Sequence, residues 1–304
     1  MNLSFPNPKG PRAAALIEAL DTLGLASSTQ LGHLLFPESL AKGISQGVQR
    51  FLKMQVKRRI IKPTPIWRYM PYEHLRRWVY TLNGRSPPPV SGAHQMLTND
   101  IRIPLMLMQR RDATPLKVLD QAAFYETVST EKGSQPATRL RLSDGALDPD
   151  VVAHIRLPKG KQVMLLCEAD MGTEPTVDWN AGAAPMGRLT DLEAYETAAV
   201  QLDPSSLLRK VIQGIRFVNE NYDPGGSIVG YQNLWIFLNK RRLEQVHSRL
   251  LQHLPPRRFI WMSYREAIEN PVDFWLSPVW QSLTPNPKPF ALIVNNKMTY
   301  NPIG

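Results

Sequence analysis

The chain has 304 residues, a formal net charge of +10, 43% hydrophobic residues and 20% charged residues. This length allows one large domain or two of ordinary size, and the composition excludes a disordered tail. No apolar run reaches the ~18 residues that a membrane helix needs, and the start, MNLSFPNPKGPR, lacks the apolar segment of a secretory signal. The single cysteine, Cys167, excludes a disulfide framework and a Cys-rich zinc site. We therefore expect a cytoplasmic protein with no membrane partner.

The positive charge is concentrated between residues 50 and 85. Ten basic residues stand there against one acid, Glu73, so ten minus one gives this segment a net charge of +9. Lys and Arg side chains that neutralise phosphates supply most of the sequence-independent affinity for nucleic acid. An anionic membrane surface is the rival partner, but we find no basic amphipathic helix with an aromatic-rich apolar face. Nucleic acid is therefore the expected partner.

Three short helices and then two strand-like segments are expected in the first 85 residues. The apolar residues of 13–23 have helical spacing. Ser27 offers an N-cap to a second helix that ends before Pro37. Ser39 can cap a third helix that reaches about Gln55. The runs KRRIIKPTPIWRYM and WVYTLNG, rich in Ile, Val, Tyr and Trp, then favour strands.

This order of elements is that of a winged helix, which we predict for residues 1–85. In such a domain the third helix enters the major groove and the wing touches backbone phosphates. A winged helix used for protein contact is the alternative, and the concentration of charge on the third helix and the wing favours DNA. Several of these cations would position the protein on phosphates without reading bases. The predicted DNA-binding residues are Arg50, Lys53, Lys57, Arg58, Arg59, Lys62 and Arg68.

A second domain is expected over residues 93–275, after a Pro-rich linker at 86–92 and before a strap or tail at 276–304. Residues 93–111 favour a helix, and four β-rich segments follow, the last of them QVMLLCEAD. A helix over about 205–221, the strand NLWIFLN, the helix RRLEQVHSRLLQ and the strand RRFIWMS come next. Strands followed by alternating helices and strands imply a mixed sheet with helices on its faces. The predicted fold class is therefore α+β or α/β.

Acidic residues stand at the ends of two consecutive predicted strands. Asp148 and Asp150 precede one strand, and Glu168 and Asp170 end the next. Because side chains alternate along a strand, Glu168 and Asp170 share a face, which Asp150 or Asp148 reaches if the strands form a hairpin. Convergent carboxylates suit Mg²⁺ or Mn²⁺, which can polarise a phosphodiester and activate a water. The alternative is that Glu168 and Asp170 cap a sheet edge and pair with Lys or Arg.

The glycine-containing segments do not indicate a nucleotide cofactor. Gly225-Gly226-Ser227 and residues 182–187 lack the spacing of a phosphate cradle followed by Lys and Ser or Thr. The six histidines show no pair at ligand spacing on one helix face. A metal held by carboxylates is therefore the only cofactor that the sequence predicts.

In the order of these pieces the chain resembles the replication-relaxation protein family. It is also similar to plasmid relaxases built on a restriction-endonuclease core, the mobilisation C class. The resemblance spans roughly residues 12–240, and its most specific motif is Glu-x-Asp-x-Gly-Thr-Glu at 168–174. After the winged helix, the matching pieces are a helix with His94 and Asn99-Asp100-x-Arg102, Asp148-Pro149-Asp150 before a strand, the motif itself, and a helix carrying Lys210.

The resemblance implies a PD-(D/E)xK nuclease-like fold, a divalent metal, and strand-specific nicking of double-stranded DNA. The expected target is a transfer or replication origin of a plasmid or other mobile element, where relaxosome or replication proteins would be partners. Asp150, Glu168 and Asp170 would then be the metal-binding and catalytic acids, with Asp148 as the alternate for the first.

The resemblance also assigns residues around the acids. His94, Asn99 and Asp100 would lie on a helix that flanks the site. The PD-(D/E)xK pattern has Lys where this chain has Asp170. A second cation would have to replace that Lys, or Lys210 would come in from the following helix, or the site is inactive.

Three functions are compatible with the sequence. The first is a metal-dependent, strand-nicking endonuclease of the relaxase type, favoured by the retained Asp…Glu-x-Asp set. The alternative is a non-catalytic winged-helix regulator or accessory factor with a degenerate nuclease fold, favoured by the missing Lys. An interaction scaffold, which would have little affinity for DNA, is the third.

Overall fold

The computed structural model of the chain describes residues 10–36, 46–65, 78–85, 92–109, 116–131, 133–183, 185–223, 225–294 and 297–299. The chain forms two compact units, Met1–Ile103 and Pro104–Gly304. It is a mixed α and β protein: the described residues form eight α-helices, and their largest sheet has six strands. Among these residues, no helix combines the length and the apolar character needed to span a bilayer.

The first unit opens with the predicted helices. Leu16, Leu20 and Leu23, on one face of the first helix, are buried. Ser27 caps the second helix, because its hydroxyl accepts from the backbone N–H of Gln30, whose side chain accepts from the N–H of Ser27. A three-stranded antiparallel sheet in the order β1-β3-β2 completes the unit. The elements are α1 (Pro11–Leu23), β1 (Ala26–Ser27), α2 (Ser28–Leu35), α3 (Gln46–Lys57), β2 (Ile61–Pro65) and β3 (Trp78–Leu82).

The long helix α4 (Gly92–Gln109) contains the division between the two units. The predicted boundary was the linker at 86–92, of which only Gly92 belongs to the described residues. The chain divides later because the buried amides of Gln95 and Asn99 donate hydrogen bonds to main-chain carbonyls of the first unit. The carbonyls at a helix end have no partner within the helix and need such donors when buried.

The second unit contains a mixed sheet in the order β13-β12-β11-β10-β9-β4. Its three central strands, β10, β11 and β12, are parallel, and the outer pairs are antiparallel. The mixed sheet that the sequence predicted is therefore confirmed. The strands are β4 (Lys117–Ala123), β5 (Thr127–Thr130), β6 (Gly133–Pro136), β7 (Leu140–Leu142), β8 (Gly145–Leu147), β9 (Val151–Arg156), β10 (Gln162–Asp170), β11 (Ile228–Phe237), β12 (Arg257–Tyr264), β13 (Gln281–Leu283), β14 (Ile293–Val294) and β15 (Lys297–Met298).

Four helices belong to this unit, and one of them covers the face of β10 that carries the acids. On β10, Met164 and Leu166 pack with Phe217 in one core cluster. Because side chains alternate along a strand, Glu168 and Asp170 lie on that same face. The helices are α5 (Leu192–Gln201), α6 (Leu207–Asn221), α7 (Lys240–His253) and α8 (Asp273–Leu276), and Phe217 belongs to α6.

The last part of the chain includes an edge of the sheet. The sequence predicted a strap or tail over 276–304, but β13 pairs with β12 within that range. Trp280, just before β13, is fully buried, and its indole N–H donates to the carbonyl of Phe274. At least residues 280–283 of the predicted tail therefore belong to the folded second unit.

Candidate active site

Asp150 and Glu168 meet at one end of the β9–β10 pair. Val151 lies opposite Cys167 in the antiparallel register, so the hairpin that the sequence required is present. The carboxylate of Asp150 accepts a hydrogen bond from the backbone N–H of Ala169 at 2.8 Å. Asp150 and Glu168 are 6% and 7% exposed. Two acids that are 18 positions apart in the sequence thus lie together in a largely dry environment.

The pKa of Glu168 is raised well above its ordinary value. Burial is the main cause, because it disfavours the charged form, and the negative charge of Asp150 adds to it. The positive charge of Lys210 opposes both effects without overcoming them. A cation that binds beside this carboxyl would stabilise its ionised form.

The positive charge of Lys210 acts on both acids. Its Nζ, on the first turn of α6, donates to both carboxylate oxygens of Glu174 at 2.8 Å. Burial lowers the pKa of Lys210, but the charges of Glu168 and Glu174, the hydrogen bonds to Glu174 and the charge of Asp150 outweigh burial and raise it. Lys210 therefore stays charged at the same cluster as Asp150 and Glu168.

Asp170 does not join this cluster as a free acid, which corrects the predicted set. Its carboxylate is fully buried and pairs with Arg242, whose Nε lies 2.6 Å from Oδ2. The predicted alternative, pairing with Lys or Arg, therefore applies to Asp170. Burying a lone carboxylate is costly, and α7 begins just beyond the adjacent strand β11, so its first turn brings Arg242 within reach.

Asp148, the predicted alternate ligand, lies at the rim. Its carboxylate pairs with Arg139 at 3.1 Å, and both side chains are about 40% exposed. The charge of Asp148 still contributes to the raised pKa of Glu168, after burial and the charges of Asp150 and Glu174. Asp148 is thus near the site, but it is the more exposed of the two aspartates.

The three residues predicted to flank the site make contacts within the first unit. Asn99 donates to the carbonyl of Leu25 at 2.6 Å, and Asp100 accepts from the side chain of Gln30 at 2.6 Å. The backbone carbonyl of His94 accepts from the hydroxyl of Thr98, one turn along α4. The described contacts of Asn99 and Asp100 therefore join α4 to the first unit.

Two residues that the sequence did not single out complete the cluster. Glu174 is the last residue of the Glu-x-Asp-x-Gly-Thr-Glu motif and could have been chosen on that ground. Arg242 carried no such signal, since it is separated from Asp170 by 72 positions. Only the parallel pairing of β10 with β11 brings its helix to the acids.

The predicted DNA-binding residues form a basic surface on α3 and the turn after it. Helical spacing places Arg50, Lys53 and Lys57 along one exposed side of α3. The opposite side buries Val48 and Leu52. Arg58, Arg59 and Lys62 are exposed as well, whereas Arg68 and the predicted cap Ser39 lie outside the described residues.

The described residues bring together fewer possible metal ligands than the sequence predicted. Within them, no group of three or more His, Cys, Asp or Glu side chains is arranged to hold a metal ion. Asp170 pairs with Arg242, so Asp150 and Glu168 are the remaining acids of the predicted set at this end of β10. No known protein family, curated protein or solved structure matches this chain.

Proposed function

We propose that this protein binds double-stranded DNA and nicks one strand of it with the help of Mg²⁺ or Mn²⁺. The observation that carries the proposal is the cluster of Asp150, Glu168 and Lys210 at the carboxyl end of β10. In sheets with parallel strands, ligands bind outside the carboxyl ends of the strands. Two acids and a lysine at such an edge could support metal-assisted hydrolysis of a phosphodiester.

The topology of the second unit supports a nuclease-like core. Strands β4, β9 and β10 are antiparallel neighbours in the sheet, and β11 then pairs parallel to β10 after a helical crossover through α5 and α6. In the first unit, the order α1-β1-α2-α3-β2-β3 with a small antiparallel sheet supports a winged helix. Both agree with what the resemblance to relaxases implies.

The donor set fits a hard divalent cation. Asp150 and Glu168 offer carboxylate oxygens, and Mg²⁺ is commonly held by one or two carboxylates together with waters and substrate phosphates. Burial and the charge of Asp150 raise the pKa of Glu168, so a cation between the two acids would relieve their repulsion. Bound there, the ion would polarise the phosphodiester and lower the pKa of an attacking water.

The residues of the chain itself supply the positions and the compensating charge. The backbone N–H of Ala169 fixes the carboxylate of Asp150. The charge of Lys210 acts on Glu168 and Asp150, and its ammonium would donate to an oxygen of the phosphate, the role that the motif Lys would otherwise take. Arg242 neutralises Asp170, so that Asp170 adds no further negative charge to the site.

The first unit would supply affinity for the duplex. The exposed cations of α3 and of the turn after it would neutralise phosphates in and beside the major groove. The resemblance suggests an origin of transfer or replication as the target, with relaxosome or replication proteins as further partners.

A non-catalytic DNA-binding regulator is the second candidate. It is favoured by the absence of a three-ligand metal group among the described residues and by the neutralised Asp170. This candidate predicts DNA binding that does not depend on metal and that survives substitution of Glu168.

A nicking assay decides between the two. The substrate is a supercoiled plasmid carrying the DNA that flanks the protein's own gene, with Mn²⁺ or with EDTA. We expect nicked circles from the wild type with Mn²⁺ alone, and a loss of about 100-fold or more in Glu168→Ala and Asp150→Ala. Glu196→Ala removes an exposed acid of α5 and should nick like the wild type. If the wild-type protein binds this DNA but leaves the plasmid supercoiled, the result would support the non-catalytic regulator.

A further inference from the structure

We propose that Glu174 and Arg242 are positioning residues that hold the ammonium of Lys210 in place beside Glu168. This inference rests on the proposed nicking function, which gives Lys210 its role at the phosphate. The contacts that carry it can be tested without any nicking.

Arg242 contacts the start and the end of the loop that follows β10, which runs from Asp170 to Thr176. Its Nε donates to the carboxylate of Asp170 at 2.6 Å, and its Nη2 donates to the backbone carbonyl of Glu174. Its Nη1 lies 3.4 Å from the hydroxyl of Thr176. A guanidinium presents its donors in a rigid planar fork, so one side chain fixes the relative positions of these partners.

The loop itself is shaped to bring Glu174 back to the sheet. Gly172 has a φ of +76°, which a residue with a side chain rarely adopts. Its N–H donates to the carboxylate of Asp170 at 3.0 Å. Asp170 therefore closes the turn on one side and accepts from Arg242 on the other.

Glu174 then determines where Lys210 points. A lysine ammonium sits on a flexible four-carbon stem and takes its position from its hydrogen-bond partners. Both carboxylate oxygens of Glu174 accept from Nζ of Lys210 at 2.8 Å, and the Lys210 side chain is 26% exposed. Loosening Glu174 would let this ammonium swing away from Glu168 toward solvent.

This network gives Asp170 a use other than metal binding. The acid stands where the PD-(D/E)xK pattern has a lysine, and it anchors the arginine that holds the loop. The lysine itself comes from α6 and is held by the end of the same loop. Asp170, at the position of the motif lysine, and Lys210, supplied by α6, thus belong to the same hydrogen-bond network.

The test measures how fast Lys210 reacts with a water-soluble amine reagent in the folded protein. Peptide mass spectrometry gives the rate relative to Lys240, whose side chain is 66% exposed and serves as an internal reference. We expect the relative rate of Lys210 to rise about tenfold in Glu174→Gln and in Arg242→Ala, because each loses a charge-assisted hydrogen bond. Arg241→Ala, an equal loss of charge on an exposed neighbour, should leave the rate unchanged.

Two further variants keep the test meaningful if Arg242→Ala fails to fold. Arg242→Lys keeps the charge and loses the planar fork, and Asp170→Asn/Arg242→Gln removes both charges of the ion pair together. We expect faster labelling of Lys210 in both. If Lys210 reacts at the wild-type rate in every folded variant of Arg242, the positioning role of Arg242 is overturned. If it reacts at the wild-type rate in Glu174→Gln, the positioning role of Glu174 is overturned.

Nicking separates this proposal from the proposed function. If the wild type nicks, Glu174→Gln should lower kcat about tenfold or more, with little change in KM for the plasmid or in the Mn²⁺ affinity measured by calorimetry. A kcat equal to that of the wild type, despite faster labelling, would overturn the positioning role. A wild type that never nicks would count against the proposed function, while the labelling would still decide whether Arg242 and Glu174 hold Lys210.

Discussion

Glu168 lies beside Asp150 at one end of the β9–β10 pair, and the proximity of the two carboxyls disfavours the ionised form of Glu168. Burial raises the pKa of Glu168, and the charge of Asp150 raises it further. In the folded protein without metal, Glu168 therefore binds a proton more tightly than it does in the unfolded chain. The ionisation of Glu168 therefore makes the free energy of unfolding depend on pH.

Glu168→Gln should stabilise the metal-free protein at neutral pH. A group with a raised pKa in the folded state contributes stability below its unfolded value of about 4.5, and this contribution is lost as the pH rises through the raised value. Glutamine carries no charge to lose. We expect a gain of about 1 kcal/mol at neutral pH, typical of single stabilising substitutions, and little difference near the unfolded pKa. Urea denaturation in EDTA measures it.

The matched control for this prediction is Glu196→Gln. It makes the same chemical change on the exposed surface of α5 and should alter stability by less than about 0.5 kcal/mol. A Glu168→Gln protein that is less stable than the wild type at neutral pH would contradict the raised pKa of the buried Glu168 carboxyl.

Mn²⁺ should raise the melting temperature of the wild type. A ligand that binds only the folded state stabilises it by about 2.7 kcal/mol at 100 times its dissociation constant. Asp150→Asn and Glu168→Gln each remove a proposed carboxylate ligand, so their melting temperatures should respond far less. Differential scanning fluorimetry over a series of Mn²⁺ concentrations measures this, and equal responses in all three proteins would place the metal elsewhere.

Lys53→Gln should weaken DNA binding in proportion to the lost phosphate contact. Lys53 is exposed on α3 between Arg50 and Lys57. Each neutralised phosphate contributes about 0.9 to the slope of log affinity against log salt concentration, so the slope should fall by about that amount. Fluorescence anisotropy over a range of salt concentrations gives the slope. Arg12→Gln removes an exposed cation from α1 and should preserve it.

Gly24→Ala should destabilise the first unit. Gly24 has a φ of +70°, and a Cβ there would lie 2.5 Å from the amide nitrogen of Gln95, which donates to the carbonyl of Leu23. Backbone strain and the displaced hydrogen bond together should cost about 2–3 kcal/mol in urea denaturation. Gly10→Ala also places a side chain at positive φ, +99°, but meets no atom within 4 Å, so it should cost less.

The sequence predicted those features that local patterns determine. Periodicity predicted the helices α1 and α6 and the strands β10 and β11, and the acids at the ends of consecutive strands predicted the meeting of Asp150 with Glu168. A hairpin register follows from adjacent segments, so nearby residues can be placed with few assumptions.

The sequence did not predict the partners that depend on distant packing. Strand alternation places Asp170 on the same face as Glu168 and says nothing of what covers it. Arg242, 72 positions away, does so because α7 begins at the end of the strand beside β10. Gln95 and Asn99 were likewise read as part of the second domain, since helical periodicity does not show which neighbour a helix will bind.

The charges around Glu168 suggest an order of binding for the proposed reaction. Asp150, Glu168 and Glu174 can carry three negative charges and Lys210 carries one positive charge, so the group has a net charge of −2 when every member is ionised. The raised pKa of Glu168 disfavours this fully ionised state unless a cation binds there. A phosphodiester that approaches the ionised acids without such a cation is repelled at short range. In the proposed reaction the divalent ion would therefore bind before the DNA strand reaches the acids.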